Sequence, residues 1–172
     1  MTRRQAGYSM IEAMVVVAFI SITSSAAVIQ LKKSLSAVDA DVASRTVISQ
    51  IRLARQYAVD QRRNVLIEFD DNTITITRLE ADGTEIEVGV AELPAGFSFD
   101  DPEVDDTPDA YGRIESGVFL GDGTFVSFEG IIKNGALFTI GPGNGTARAV
   151  TLAGASGRIN HYYRNENGWV VR

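Results

Sequence analysis

A single carboxylate, Glu12, stands at the start of a stretch that carries no charge from Ala13 to Leu31. A helix needs about 20 apolar residues to cross the hydrocarbon core of a membrane, and this stretch has nineteen. A carboxylate in lipid is costly unless a cation pairs with it, so ionisable groups in such segments are functional candidates. The residue type and its place predict a membrane-length helix (residues 8–31) whose acid needs a cationic partner.

Basic residues flank this stretch on both sides: Arg3 and Arg4 come before it, and Lys32 and Lys33 follow. Because the two flanks are nearly balanced, the positive-inside rule does not fix the orientation. A secretory signal has a shorter apolar stretch followed by a small-residue cleavage site, whereas here the apolar run continues into a polar helix. A plain membrane anchor with an incidental Glu12 is the alternative.

A second group of side chains that could do chemistry is a set of carboxylates after residue 99. Dense oxygen ligands suit calcium, and the candidate ligands are Asp100, Asp101, Asp105 and Asp106. Their spacing does not match an EF-hand loop. We therefore favour a solvated acidic loop over residues 100–117 and predict no metal or other cofactor.

Arginines alternate with aromatic residues near the end of the chain, where Arg158 and Arg164 flank His161, Tyr162 and Tyr163. Arginine and aromatic side chains together can follow phosphates and stack on bases, which makes the two arginines candidates for DNA binding. The formal charge of −6 opposes attraction of DNA, so nucleic acid is not the partner that we favour. The alternative is a strand pair with a polar outer face.

The chain offers no pattern typical of an enzyme. It has one histidine, His161, and no cysteine, so a nucleophile and base pair would have to use a residue in a strand-like run. The glycine-rich segment 141–145 lacks the Lys-Ser/Thr of a phosphate-binding loop and predicts a turn. We predict a protein without catalytic activity and place His161 on the surface of a strand.

The elements that position these residues begin with one long helix, predicted over residues 8–62 because no Pro or Gly occurs in that range. Asp41 and Arg45 are four residues apart and predict an ion pair on one face. Apolar residues at helical spacing predict the buried face. They are Leu35, Val38, Val42, Val47, Ile48, Ile51, Ala54 and Ala58.

The pattern then changes to period two, which is typical of β-strands separated by glycine-rich turns. The predicted strands cover residues 65–69, 73–77, 86–90, 97–99, 118–120, 124–128, 136–140, 147–152, 159–163 and 169–171. The whole chain is thus predicted to be α+β, with a long N-terminal hydrophobic helix packed on a C-terminal antiparallel β domain at residues 63–172.

Charge is distributed unevenly along the chain. Residues 1–59 carry a net +4, residues 60–129 a net −14 and residues 130–172 a net +4. This asymmetry says more about partners than the total does. The absence of cysteine is compatible with an exported or an internal domain, so it does not fix the compartment.

The N-terminal residues Gly7-Tyr8-Ser9-Met10-Ile11-Glu12-Ala13 resemble the cleavage and N-methylation motif of type IV prepilins. The resemblance implies that residues 1–7 are a leader, that a prepilin peptidase cuts between Gly7 and Tyr8, and that Tyr8 is then N-methylated. It also implies that Glu12 serves assembly by pairing with the new amino terminus of a neighbouring subunit. Tyr8 stands where the family usually has Phe.

A second segment, Leu53 to Val59 followed by Arg62-Arg63-Asn64-Val65, resembles the GspH/FimT family of minor pseudopilins and minor pilins. The match is looser than the N-terminal one. It implies a structural subunit of a type II secretion pseudopilus or a type IV pilus. Its partners would be other pilins, the prepilin peptidase and methyltransferase, and the inner membrane, with the β domain in the periplasm.

The same family holds DNA receptors that carry a Gly-Arg-x-Arg motif, which gives the alternative of a pilus-tip protein for DNA uptake. Here Gly157-Arg158-Ile159-Asn160 keeps the first arginine, and Asn160 replaces the second. This departure puts the DNA-binding role in doubt.

Overall fold

The computed structural model describes residues 9–100, 107–142 and 146–172. The chain forms two compact units, Met1–Leu35 and Ser36–Arg172. The helix α1 (Met10–Gln61) contains the boundary between them. Within the described residues no helix has the length and apolarity of a membrane span.

In the second unit, α1 buries a stripe of small and branched residues. The stripe begins at Ala40 and Ala43 and continues with Val47, Ile51, Ala54 and Ala58, all at most 1% exposed. Steps of three and four residues keep these side chains on one side of the helix. The four alanines have short side chains, so they let neighbouring chain approach the helix axis closely.

The predicted buried face was wrong at its beginning, because Leu35, Val38 and Val42 are 53%, 57% and 45% exposed. From Val42 the regular spacing leads to Arg45 and Ser49, which are polar, and not to Val47, which is five residues away. Val38 and Val42 therefore belong to a second stripe. The stripe from Ala40 to Ala58, which we call the alanine stripe, faces the core.

Two five-stranded antiparallel sheets follow the helix. Sheet A has the strand order β3-β2-β1-β5-β6, and sheet B has the order β10-β9-β8-β7-β4. The strands of sheet A are β1 (Asn64–Asp70), β2 (Thr73–Leu79), β3 (Glu85–Glu92), β5 (Ser116–Phe119) and β6 (Phe125–Val126). Those of sheet B are β4 (Ser98–Phe99), β7 (Gly135–Ile140), β8 (Arg148–Ala153), β9 (Arg158–Asn165) and β10 (Gly168–Val171). The predicted α+β class, with a long helix and an antiparallel β domain, is confirmed.

Two tight turns in this domain use the same local chemistry. In Asp82-Gly83-Thr84 the aspartate Oδ1 accepts a hydrogen bond from the Thr84 amide at 2.9 Å, and Gly83 has φ +86°. In Asp122-Gly123-Thr124 the corresponding distance is 2.8 Å, and Gly123 has φ +84°. Glycine is favoured at the central position because it adopts positive φ at little cost.

The stretch predicted as one acidic loop contains secondary structure in its described part, residues 107–117. A short 3-10 helix spans Pro108–Ala110, and β5 begins at Ser116. Gly117 lies in β5, and the Phe125 ring occupies the space that a Cβ at this position would need. Glycine suggests a loop in the sequence, but here the packing of the Phe125 ring requires it.

One continuous apolar cluster joins the helix to both sheets. It contains the alanine stripe, Ile67 and Ile76 of sheet A, and Val150 and Leu152 of sheet B, with Phe119 and Phe125 fully buried among them. The two phenylalanine rings lie with their centroids 4.9 Å apart. The helix is therefore part of the hydrophobic core of the domain.

Truncating the stripe should destabilise this core. We expect Ile51→Ala to lower the free energy of unfolding by about 2–5 kcal/mol, since it leaves a cavity where a side chain is 1% exposed. Leu53→Ala, at a side chain that is 36% exposed on the same helix, is the matched control and should cost much less. Urea unfolding of the full chain in detergent, followed by Trp169 fluorescence, measures both; equal losses would contradict the assignment.

Candidate functional site

The first unit presents an apolar helical surface. Every described side chain from Ser9 to Leu35 is exposed. The large apolar residues among them range from Val15, 50% exposed, to Met10, 79% exposed. Apolar patches on monomeric soluble proteins rarely exceed a few hundred Å², and larger ones mark contact with a partner or a membrane.

Three of the hydroxyl side chains within this surface donate hydrogen bonds to carbonyls of the helix itself. Ser21 Oγ donates to the Val17 carbonyl at 2.8 Å, Thr23 Oγ1 to the Phe19 carbonyl at 3.0 Å, and Ser25 Oγ to the Ser21 carbonyl at 2.8 Å. A hydroxyl bonded to the preceding turn needs no partner from solvent. These residues therefore do not hinder transfer of the helix into an apolar environment.

Glu12 differs from those hydroxyls. Its side chain is exposed in the first turn of α1, and no hydrogen bond or ion pair to it occurs within the described residues. A carboxylate at a helix N-terminus gains from the helix dipole, but only by about 0.3–1 kcal/mol when it is exposed. Transfer into a low-dielectric environment would thus require a cation from outside the described chain.

Several predicted residues lie outside the described residues: the processing residues Gly7 and Tyr8, and the calcium candidates Asp101, Asp105 and Asp106. Asp100, the remaining calcium candidate, is described and exposed. No group of three or more metal-ligating side chains occurs in the described part of the chain. The processing and calcium predictions stay predictions.

A charged cluster joins the helix to sheet B. Asp41 on α1 accepts a hydrogen bond from Arg148 Nε at 3.1 Å, and its second oxygen contacts Arg172 Nη1. Burial raises the pKa of Asp41, but the hydrogen bonds from Arg172 and Arg148 outweigh it and hold the pKa below its ordinary value. The predicted pair of Asp41 with Arg45 was wrong, since the carboxylate instead binds these two arginines.

His161 lies beside this cluster. Its Nε2 atom is buried without a hydrogen-bond partner in the described structure. Burial lowers the pKa of His161 and the Asp41 carboxylate raises it, while Arg172, Arg148 and Arg45 lower it further. The predicted surface position is thus only half right, because the ring is partly buried and stays neutral to lower pH than a free histidine.

On the other face of β9, a second aspartate is held by three side chains. Asp109 accepts hydrogen bonds from Thr151 Oγ1 at 2.6 Å, Tyr162 OH at 2.8 Å and Asn160 Nδ2 at 3.1 Å. The hydrogen bond from Thr151 is the largest cause that lowers the pKa of Asp109, and those from Tyr162 and Asn160 add to it. The contacts hold the described second part of the predicted acidic loop against sheet B.

These contacts bear on the DNA-binding candidates. Arg158 begins β9 with an exposed side chain, and Arg164 lies six residues further along the strand, opposite Trp169 of β10. Asn160, which stands in place of the second motif arginine, is engaged by Asp109. The structure therefore places a carboxylate, and not a further cation, between the two arginines.

An apolar hairpin turn projects from the β domain between β6 and β7. Phe128, Ile131 and Ile132 are 67%, 62% and 56% exposed. The Ser127 amide donates to the Ile131 carbonyl at 2.8 Å, which closes the turn. Its apolar tip is a second surface on which a partner could rest, and the sequence analysis did not single it out.

The Asp41 cluster was also missed, although one residue pointed to it. Arg148 starts a strand whose described side chains are almost all buried, and its own side chain is 8% exposed. A charge buried in an apolar strand needs a partner. That need could have been read from the sequence, but the identity of the partner, 107 residues earlier, could not.

Comparison with known proteins identifies the class of fold. No protein-family model matches the chain, and no curated protein sequence matches it. The type IV minor pilin FimU of Pseudomonas aeruginosa has a similar structure, with a TM-score of 0.52 and 19% identity over 76% of this chain and 91% of FimU. The chain therefore has a type IV pilin-like fold.

Two structures of the minor pseudopilin EpsH, from the type II secretion system of Vibrio cholerae, also match. Each has a TM-score of 0.45, with 12% and 13% identity over 78% and 79% of this chain and 94% and 93% of EpsH. The likeness to FimU confirms the pilin-like fold that the N-terminal resemblance implied.

The contacts of Asp109 should make stability depend on pH. Because its pKa is lowered in the folded state, its contribution is fully present above the ordinary value of 3.8 and is lost as the pH falls through the folded pKa. We expect Asp109→Asn to lower stability by roughly 1–2 kcal/mol at neutral pH. The difference from the unmodified chain should shrink as the pH falls from 3.8 through the folded-state pKa, as urea unfolding at several pH values would measure. Glu85→Gln, at an exposed edge-strand residue, is the control; a pH-independent difference for Asp109→Asn would contradict this origin.

His161 should make the stability of the folded state depend on pH in a higher range than Asp109 does. A histidine whose pKa is lowered by folding stabilises the folded state above its ordinary pKa of 6.5, and this contribution is lost as the pH falls below that value. We expect the melting temperature of the chain to fall between pH 7 and 5, and His161→Gln to reduce that slope. Parallel melting curves for both proteins would show that the ring does not titrate differently on folding.

Proposed function

We propose that this chain is a minor pilin or pseudopilin, a structural subunit of a type IV pilus or a type II secretion pseudopilus. The observation that carries the proposal is the exposed apolar helix of residues 10–35, with one unpartnered carboxylate near its start, on a fold like that of FimU. A helix with this surface calls for apolar surroundings, and a filament core or a membrane supplies them.

The proposed role of Glu12 follows from electrostatics. Attraction between opposite charges at about 4 Å grows from about 1 kcal/mol in water to about 4 kcal/mol at an effective dielectric constant of 20. The amino terminus of a neighbouring subunit, freed by cleavage after Gly7, would supply the cation. The pair would form only when both subunits occupy the correct register, so it would select the assembled state.

Processing and location belong to the same proposal. A prepilin peptidase would cut between Gly7 and Tyr8, and Tyr8 would be N-methylated, as the N-terminal motif implies. Before assembly, residues 8–31 would hold the subunit in the bacterial inner membrane, with the β domain in the periplasm. Nineteen uncharged residues from Ala13 to Leu31 support this placement.

The β domain would supply specificity, because the apolar helix surface offers few directional groups. The apolar turn with Phe128, Ile131 and Ile132 is one surface available for contact with another subunit. The protein would have a mechanical role, as a structural subunit of a filament. The geometry around Asp109 and Asn160 does not favour the alternative of DNA uptake.

Removing the carboxylate tests the proposal. We expect Glu12→Ala to leave the melting temperature of the β domain unchanged, because the Glu12 side chain makes no hydrogen bond or ion pair within the described residues. We expect it to reduce incorporation into sheared filaments at least about tenfold. Immunoblotting of the sheared and cell-bound fractions, in a strain that lacks the native copy, gives the ratio.

Asp39→Asn is the matched control, since it removes an exposed acid from the same helix outside the apolar stretch. Intact-mass measurement of both variants verifies that cleavage at Gly7 still occurs. Incorporation of Glu12→Ala at the normal level would overturn the role of the carboxylate. A chain that is never found in sheared filaments, although processed and folded, would overturn the filament assignment itself.

A further inference from the structure

The Asp41 cluster holds more positive than negative charge. Arg148 and Arg172 share the one carboxylate of Asp41, and Arg45 lies one helical turn beyond Asp41 on the same helix. Arg45 is exposed. Two guanidinium groups thus share one acid, and a third arginine lies one helical turn away, in a protein of net charge −6.

The cluster opens onto a cavity of about 390 Å³, lined by Ala37, Val38, Asp41, Arg148, Tyr163 and Arg172. Arg148 is fixed and nearly inaccessible, with 8% of its side chain exposed, whereas 49% of the Arg172 side chain is exposed. Arg172 therefore has donor groups left for a ligand after its contact with Asp41. Ala37 and Val38 add an apolar wall to this charged rim.

We propose that this cavity, with Arg172 at its rim and Arg45 one helical turn from Asp41, binds carboxylate side chains of a neighbouring subunit in the filament. The inference deepens the proposed function and rests on it. Arginine binds carboxylates through two parallel hydrogen bonds, and the apolar wall suits the methylene groups of a glutamate.

Charge complementarity indicates where such carboxylates are found. The acidic middle of the chain forms sheet A, whose edge strand β3 exposes Glu85, Glu87 and Glu92. The basic segments on either side of it in sequence meet at Asp41, Arg45, Arg148 and Arg172. An acidic strand edge of this kind on an adjacent subunit matches the rim in charge, and contact between unlike patches of successive subunits builds open filaments.

The experiment measures binding of a hexaglutamate peptide to the full chain in detergent at low salt, by isothermal titration calorimetry. Hexaglutamine and a single-stranded dodecanucleotide are the comparison ligands. We expect hexaglutamate to bind, hexaglutamine not to bind, and Arg172→Gln and Arg45→Gln each to weaken binding about five- to tenfold. Arg52→Gln, the same charge change at another arginine of α1, should leave it nearly unchanged.

Comparing Arg172→Gln with Arg45→Gln distinguishes a loss of ligand contacts from a loss of folding. Arg172→Gln removes a partner of Asp41, so its melting temperature is measured alongside, whereas Arg45 has no described contact with Asp41. Equal losses in all three variants would reduce the effect to net charge and overturn the site. Absence of hexaglutamate binding, or tighter binding of the oligonucleotide through the same arginines, would also overturn it. Because this assay needs no filament, its failure is distinct from failure of the Glu12→Ala test.

Discussion

The alanine stripe of α1 is the constraint on which the rest of the structure depends. One helix must present apolar residues outward over its first half and bury a face of the β domain over its second. Ala40, Ala43, Ala54 and Ala58, with Val47 and Ile51, lie in one buried apolar cluster with residues of both sheets. Close packing of this kind fixes the rotation of the helix about its axis. That rotation in turn sets where Asp41 and Arg45 emerge, so the charged cluster depends on the stripe.

How far the sequence could predict this fold depends on the range of the interactions involved. Period-two patterns and glycine turns placed the strands because both are local properties of a few residues. The buried helix face was predicted correctly only from Val47 onward. Its start was missed because branched residues at 38 and 42 outweighed the less hydrophobic alanines at 40 and 43. Step size would have been the better guide, since a step of five residues leaves a helical face while steps of three and four keep it.

The candidate sites show the same difference between local patterns and long-range contacts. Glu12 stands out in the sequence because its immediate neighbours are all apolar, and its role in assembly stays a prediction. The contact of Asp41 with Arg148 spans 107 residues and those of Asp109 span 42 to 53, so local patterns could not predict them. Local reasoning assigned Asp41 to Arg45, yet an exposed pair four residues apart on a helix contributes only about 0.3–0.5 kcal/mol. Leaving a buried arginine on a strand unpaired costs much more free energy, so the Asp41 carboxylate pairs with Arg148.

Folding also sorts the charges in a way that the linear sequence conceals. The two basic segments lie at opposite ends of the chain and the acidic segment lies between them. Because α1 packs against β8 and β9, the basic ends converge, and the acidic middle is left to sheet A and the segment after it. Convergence of like charge is unfavourable by itself, and Asp41 and the neutral His161 moderate it. A fold that gathers positive charge beside a cavity, while one of its sheet edges is lined with glutamates, gives the β domain two surfaces of opposite sign. An apolar helix cannot distinguish one neighbour from another by charge, whereas two such surfaces can.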